Sequence, residues 1–194
     1  GHHQCVELLL DRHANVNARN NTTSSPLHIA SWNGHHQCIE LLLDRQANVN
    51  ARDNTTSSPL HLAATNGDRQ CVELLLDRQA NVNARGNATS SPLHLAATNG
   101  HHQCIELLLD RQADIDARNN DLDTPLHIAA DTHHLHVANK GHHQCIELLL
   151  DRQADVDARN NDLDTPLHIA ACRGGTEKVV VLLDHGADKT LRNV

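Results

Sequence analysis

The chain has 194 residues, a formal net charge of −8, no Phe, Tyr or Met, and Trp32 as its one aromatic. That length suffices for a domain with a real core, but Leu, Ile, Val, Ala and Cys must supply all of it. The acidic balance argues against a nucleic-acid partner, whose phosphates need a basic face. No apolar run reaches the length of a membrane span, and no signal-peptide pattern opens the chain, so no membrane role is expected. With no Met at position 1, the sequence reads as a piece of a longer protein, and the missing signals carry little weight.

Self-similarity is the strongest feature. Pro-Leu-His recurs at Pro26, Pro59, Pro92, Pro125 and Pro166, in steps of 33 residues and finally one of 41. A second marker, Gln-Cys-(Val/Ile)-Glu-Leu-Leu-Leu-Asp-Arg, begins at Gln4, Gln37, Gln70, Gln103 and Gln144 with the same spacing. Each copy therefore fills the same structural slot.

Along one unit, Ser58-Pro59 supplies a helix cap and a proline at the first helical position. Leu60, Ala63 and Ala64 then form a narrow apolar stripe at helical spacing, and Asn66-Gly67 ends it. Cys71, Val72, Leu74, Leu75 and Leu76 give a second helix its apolar part, with Glu73 and Asp77 on the wet side. The polar stretch after Ala80 predicts a connecting, hairpin-like finger. Neither helix is long enough to be stable alone, so the units must stack.

These features resemble the ankyrin family, whose signature is Thr-Pro-Leu-His-x-Ala with a 33-residue period. The signature is intact at Thr124–Ala129 and Thr165–Ala170, and Ser25, Ser58 and Ser91 replace its Thr elsewhere. The family's Gly-Ala-Asp ending stands at Gly186-Ala187-Asp188. The resemblance implies an all-α repeat: an ankyrin solenoid of stacked helix-turn-helix units with short hairpin-like fingers.

Read in chain order, residues 1–19 form the second helix of a truncated unit. Full units follow at 20–52, 53–85, 86–118, 119–159 and 160–192. The fourth full unit carries an eight-residue expansion within 131–141, read either as a lengthened first helix or as a protruding loop. Its functional reading stands beside that of a tolerated duplication. Val179–Leu183 make the last helix apolar nearly all round. The array is therefore expected to continue past Val194 or to make end-to-end contacts through its uncapped termini.

Two family glycines are replaced. His13, Gln46, Gln79, Gln112 and Gln153 stand where the second helix usually turns left-handed. Thr23, Thr56, Thr89, Leu122 and Leu163 stand at the usual finger Gly. Either the array accepts the strain, or these helices end differently.

The 18 histidines require a test for metal. The pairs before each Cys recur once per layer, and Asp68-Arg69 replaces one pair without loss of pattern. The best remaining set is His133, His134 and His136, with His142, and the reading adopted is no metal and no cofactor. The His after each Pro-Leu is the family's structural His, implied to bond between layers. Five of six cysteines occupy one slot per layer, too far apart for disulfides, which suits an intracellular, cytoplasmic protein. The sequons at Asn21, Asn54 and Asn87 pull weakly the other way. The Asp clusters 114–123 and 155–164 lack the Gly and Glu of a calcium loop. No catalytic constellation is present, so no enzyme is expected.

The resemblance implies protein binding through a concave groove of finger tips and first helices. The matching fingers give Asn54, Thr55, Asp121, Asp123, Asp162 and Asp164. The helix ends give Trp32, Asn33, Thr65, Asn66, Thr98, Asn99 and Arg173. Trp32 is the candidate anchor, since Trp is enriched at interface centres. Early fingers are neutral and later ones carry paired Asp, which points to a partner with a basic segment. The resemblance also implies a substrate role, because the hypoxia-response asparaginyl hydroxylase modifies ankyrin fingers; the matching residues are Asn17, Asn50 and Asn83. A rigid spacer is the third reading.

Overall fold

The computed structural model describes residues 2–131 and 139–193. Among them are eleven α-helices and no strand. A single outer helix, α1 (His3–Asp11), precedes five pairs: α2 (Pro26–Trp32) with α3 (His36–Asp44), α4 (Pro59–Asn66) with α5 (Arg69–Asp77), α6 (Pro92–Thr98) with α7 (His102–Asp110), α8 (Pro125–Ala130) with α9 (Asn139–Asp151), and α10 (Pro166–Cys172) with α11 (Thr176–Asp184). The even-numbered helices from α2 to α10 pack in one row and the odd-numbered in another, with each pair also packed internally. The expected all-α solenoid is therefore the observed fold.

Local chemistry explains each first helix. Ser25, Ser58, Ser91, Thr124 and Thr165 sit extended at the N-cap, with proline at the helix start. The histidine three residues on completes a reciprocal cap. Ser58 N–H donates to His61 Nδ1 at 3.2 Å, so Nδ1 is the acceptor and the other ring nitrogen carries the proton. That Nε2 donates to the Ser90 carbonyl of the next finger at 3.2 Å. The same bridge runs from His28 to Ser57, His94 to Asp123 and His127 to Asp164. His28, His61, His94 and His127 thus join layers as the resemblance implied.

The core lies between the two rows. Leu60, Ala63, Ala64, Cys71, Val72 and Leu75 are fully buried, while Leu74 and Leu76 are partly buried against them. Leu27, Leu93 and Leu126 repeat the Leu60 position, and Leu42, Leu108 and Leu149 repeat that of Leu75. A fully buried Leu contributes about 1.5–3 kcal/mol, and repetition makes a core without aromatics sufficient. Cys38, Cys71, Cys104 and Cys145 are buried free thiols, but Cys5 is exposed. Its helix α1 is outermost in its row and buries no residue fully.

The missing glycines do not change how the helices end. His13, Gln46, Gln79, Gln112 and Gln153 all adopt positive φ, between 64° and 68°. Gln79 N–H bonds to Leu76 O and Ala80 N–H to Leu75 O, both at 3.0 Å, closing the helix as a glycine would. The array therefore accepts about 1 kcal/mol of strain per site. Thr23, Thr56, Thr89, Leu122 and Leu163 are likewise left-handed.

The fingers are side-chain-stapled turns. Asp53 Oδ1 accepts Thr55 N–H and Ser57 N–H, each at 2.9 Å. Gly86 occupies the Asp53 slot and lacks that oxygen, and there the finger becomes a 3-10 turn over Asn87–Thr89.

The expansion does not lengthen the first helix: α8 stops at Ala130, with Asp131 outside helical geometry (φ −86°, ψ 77°). Its far end instead extends α9, which has 13 residues against 9 in α7. Gly141 is needed there, because a Cβ would lie 2.5 Å from the Gly100 carbonyl oxygen. Residues 132–138 lie outside the described residues.

Candidate functional site

Histidine bridges hold four of the first helices against the finger of the next layer, and in the α8 and α10 layers fingers and first helices line one recess. Trp32, Thr65, Thr98, Asp131 and Cys172 are the seventh residues of α2, α4, α6, the Pro125 segment and α10. Asn33, Asn66, Asn99 and Arg173 follow them in the next slot.

At the neutral end, much of the polar side-chain capacity is used locally. Asn33 Nδ2 and Asn99 Nδ2 donate to Ile29 O and Leu95 O of their own helices, both at 2.8 Å. Thr65 and Thr98 hydroxyls donate to the His61 and His94 carbonyls at 2.8 and 2.9 Å. Thr55 Oγ1 donates to Asp53 within its finger. Asn54 and Asn66 are exposed. Trp32 is 51 % exposed, and Ile29 one turn earlier is 49 % exposed, forming an apolar face on α2.

The acidic end converges. A recess of about 590 Å³ brings together Asp121 and Asp123 of one finger, Asp162 and Asp164 of the next, and Asp131 and Arg173 at the helix ends. Ile128 and Ile169 also line it. Buried histidines position this wall, because His94 and His127 hold the Asp123 and Asp164 carbonyls at 3.0 and 3.1 Å. Asn160 Nδ2 donates to Asp123 Oδ1 at 2.9 Å. Arg173 forks across layers onto Asp131, Nε to Oδ1 at 2.7 Å and the terminal nitrogen to Oδ2 at 3.1 Å. Five carboxylates thus face one guanidinium, and Asp121 and Asp162 remain exposed.

Asp131 was hidden in the sequence because it borders the expansion, where the register breaks. Its slot would have revealed it, since carboxylate and guanidinium replace Thr and Asn in adjoining layers.

Burial favours the neutral form of His28, His61, His94 and His127. It pushes His61 down to about 4, against the opposing effect of the hydrogen bond that its Nε2 donates to the Ser90 carbonyl. His28, His94 and His127 shift the same way for the same leading reason. Burial likewise raises the thiols of Cys71, Cys104 and Cys145, to about 12, 11 and 12, so they are protonated at neutral pH.

Asn17, Asn50 and Asn83 are exposed but employed as interlayer staples. Their Oδ1 atoms accept Asn48 N–H, Asn81 N–H and Asp114 N–H, each at 2.8 Å. His133, His134 and His136 lie outside the described residues, and His142 is buried, with its Nε2 2.9 Å from the Thr98 carbonyl. Among the described residues, His36, Asp68 and Cys71 bring potential metal-ligand atoms within 4.8 Å of one another. No described helix is long and apolar enough to cross a membrane.

No curated protein matches the chain. A family model described as ankyrin repeats matches three times, over residues 1–86, 60–139 and 131–193. Such repeats are generally non-catalytic protein-interaction modules. With that match spanning nearly all of the sequence, and the paired helices stacking in two rows as the repeat requires, the chain belongs to the ankyrin-repeat family.

Proposed function

We propose that this array is an intracellular, non-catalytic module that binds a protein carrying a basic segment. The acidic recess between the α8 and α10 layers takes that segment, and Trp32 anchors an apolar residue of the same partner at the other end. The recess carries this reading: its carboxylates outnumber its one guanidinium, it is open enough for side chains, and histidine bridges fix its walls. The free cysteines support a reducing compartment. The working units are those beginning at residues 20, 53, 86, 119 and 160.

A fluorescent Arg/Lys-rich peptide should bind the array, and its acid-rich counterpart should not. Affinity should fall with salt, because exposed charges are screened. Asp121→Asn and Asp162→Asn should each weaken binding by about 0.2–1 kcal/mol, as exposed ion pairs do. Equal affinity for both peptides, or indifference to these substitutions, would contradict the reading.

A further inference from the structure

We propose that His36, Asp68 and Cys71 form a zinc site that ties the α2/α3 layer to the α4/α5 layer. His36 lies in the first turn of α3, Asp68 is the N-cap of α5, and Cys71 lies in the first turn of α5. His36 Nε2 stands 2.9 Å from both Asp68 carboxylate oxygens. Asp68 Oδ1 also accepts Cys71 N–H at 3.0 Å, which holds the carboxylate beside the thiol. The imidazole nitrogen, carboxylate oxygen and sulfur all fall within 4.8 Å of one another. Ligand atoms on a tetrahedral zinc ion stand about 3.3–3.7 Å apart, so small side-chain rotations bring these three onto one ion.

The donor chemistry points to zinc. Thiolate, imidazole and carboxylate are all established zinc ligands, and the borderline-soft ion accepts the mixture. One thiolate and one carboxylate cancel its double charge, which suits a site where Cys71 is fully buried and Asp68 and His36 are only 22 % and 34 % exposed. On binding, the Cys71 thiol releases its proton to solvent, and the His36–Asp68 hydrogen bond gives way to two metal bonds. A neighbouring recess of about 350 Å³, lined by Gly34, His36, Glu40 and Gln70 among others, admits a water as fourth ligand. Gly34 permits the approach, because a Cβ there would lie 2.7 Å from Asp68 Oδ2.

The site belongs to this layer. Elsewhere His101 and His142 occupy the Asp68 slot, and each directs Nε2 to a threonine carbonyl, Thr65 O at 3.1 Å and Thr98 O at 2.9 Å. The change that breaks the His-His pattern supplies the anionic ligand. It also ties the first turn of α3 to a residue 32 positions away in sequence.

Cobalt(II) titration of the whole chain, stripped with a chelator and kept reduced by a phosphine, tests the site. One equivalent should produce thiolate-to-cobalt charge transfer and tetrahedral d–d absorption, both abolished by excess zinc. Cys71→Ala and His36→Gln should eliminate this signal. Asp68→Asn, which preserves the N-cap, should weaken uptake at least about tenfold, as loss of a metal-site group does. Cys145→Ala, in the equivalent slot two layers later, should leave the signal intact, and circular dichroism should show every variant helical. Absence of the thiolate band, or its survival in helical Cys71→Ala or His36→Gln protein, would overturn the proposal and leave an interlayer ion pair.

Discussion

Lowering the pH to about 4 is expected to cost the array about 3 kcal/mol of stability at His61 alone. In the unfolded chain this histidine takes up a proton near its ordinary value of 6.5, whereas in the fold burial holds it down to about 4. The unfolded state therefore binds more protons throughout that window. The contribution is complete above 6.5, shrinks as pH falls, and is exhausted near 4. His28, His94 and His127 are lowered too, so their losses add to it. The cause is geometric as well as dielectric, because Nδ1 already accepts the N-cap N–H and has no room for its own proton. Urea midpoints at pH 7, 6, 5 and 4 should fall progressively, and a profile flat across this range would contradict neutral, buried histidines.

Leu93→Ala should cost about 3–5 kcal/mol, within the range for buried leucines that leave a cavity. Leu93 is fully buried in α6, with α4 and α8 stacked on its two sides. Rigid neighbours on both faces cannot collapse into the void. Leu8, 56 % exposed on α1, is the matched control, and Leu8→Ala should change stability by less than about 0.5 kcal/mol. Because layers interact only with their neighbours, Leu93→Ala should also broaden the transition by uncoupling the two halves of the array. Equal urea midpoints for the two variants would refute the layered core.

Helix positions, caps and core stripes were legible because the same residues recur at one period. Ser58, Pro59, Leu60 and His61 each have a local task, and local tasks can be read from a single unit. The Gln79 turn was not decidable, because only the neighbouring layers set whether strain or an altered ending is cheaper. Asp131 escaped because the expansion destroyed the register by which slots are compared. The His36–Asp68 contact escaped for another reason. It joins residues of different slots in adjoining layers, which a slot-by-slot comparison keeps apart. The acidic fingers were visible as composition, but their convergence with Arg173, Ile128 and Ile169 in one recess depends on stacking.

The most direct test of the binding claim is selection from a random peptide library displayed on phage, with the immobilised array as bait. Basic peptides should be enriched. Their affinity should drop in an array carrying both Asp121→Asn and Asp162→Asn, fall further with Trp32→Ala, and remain unchanged with Glu106→Gln on the exposed side of α7. No enrichment, or binders indifferent to the recess and sensitive to Glu106, would contradict a partner site on the finger and first-helix side.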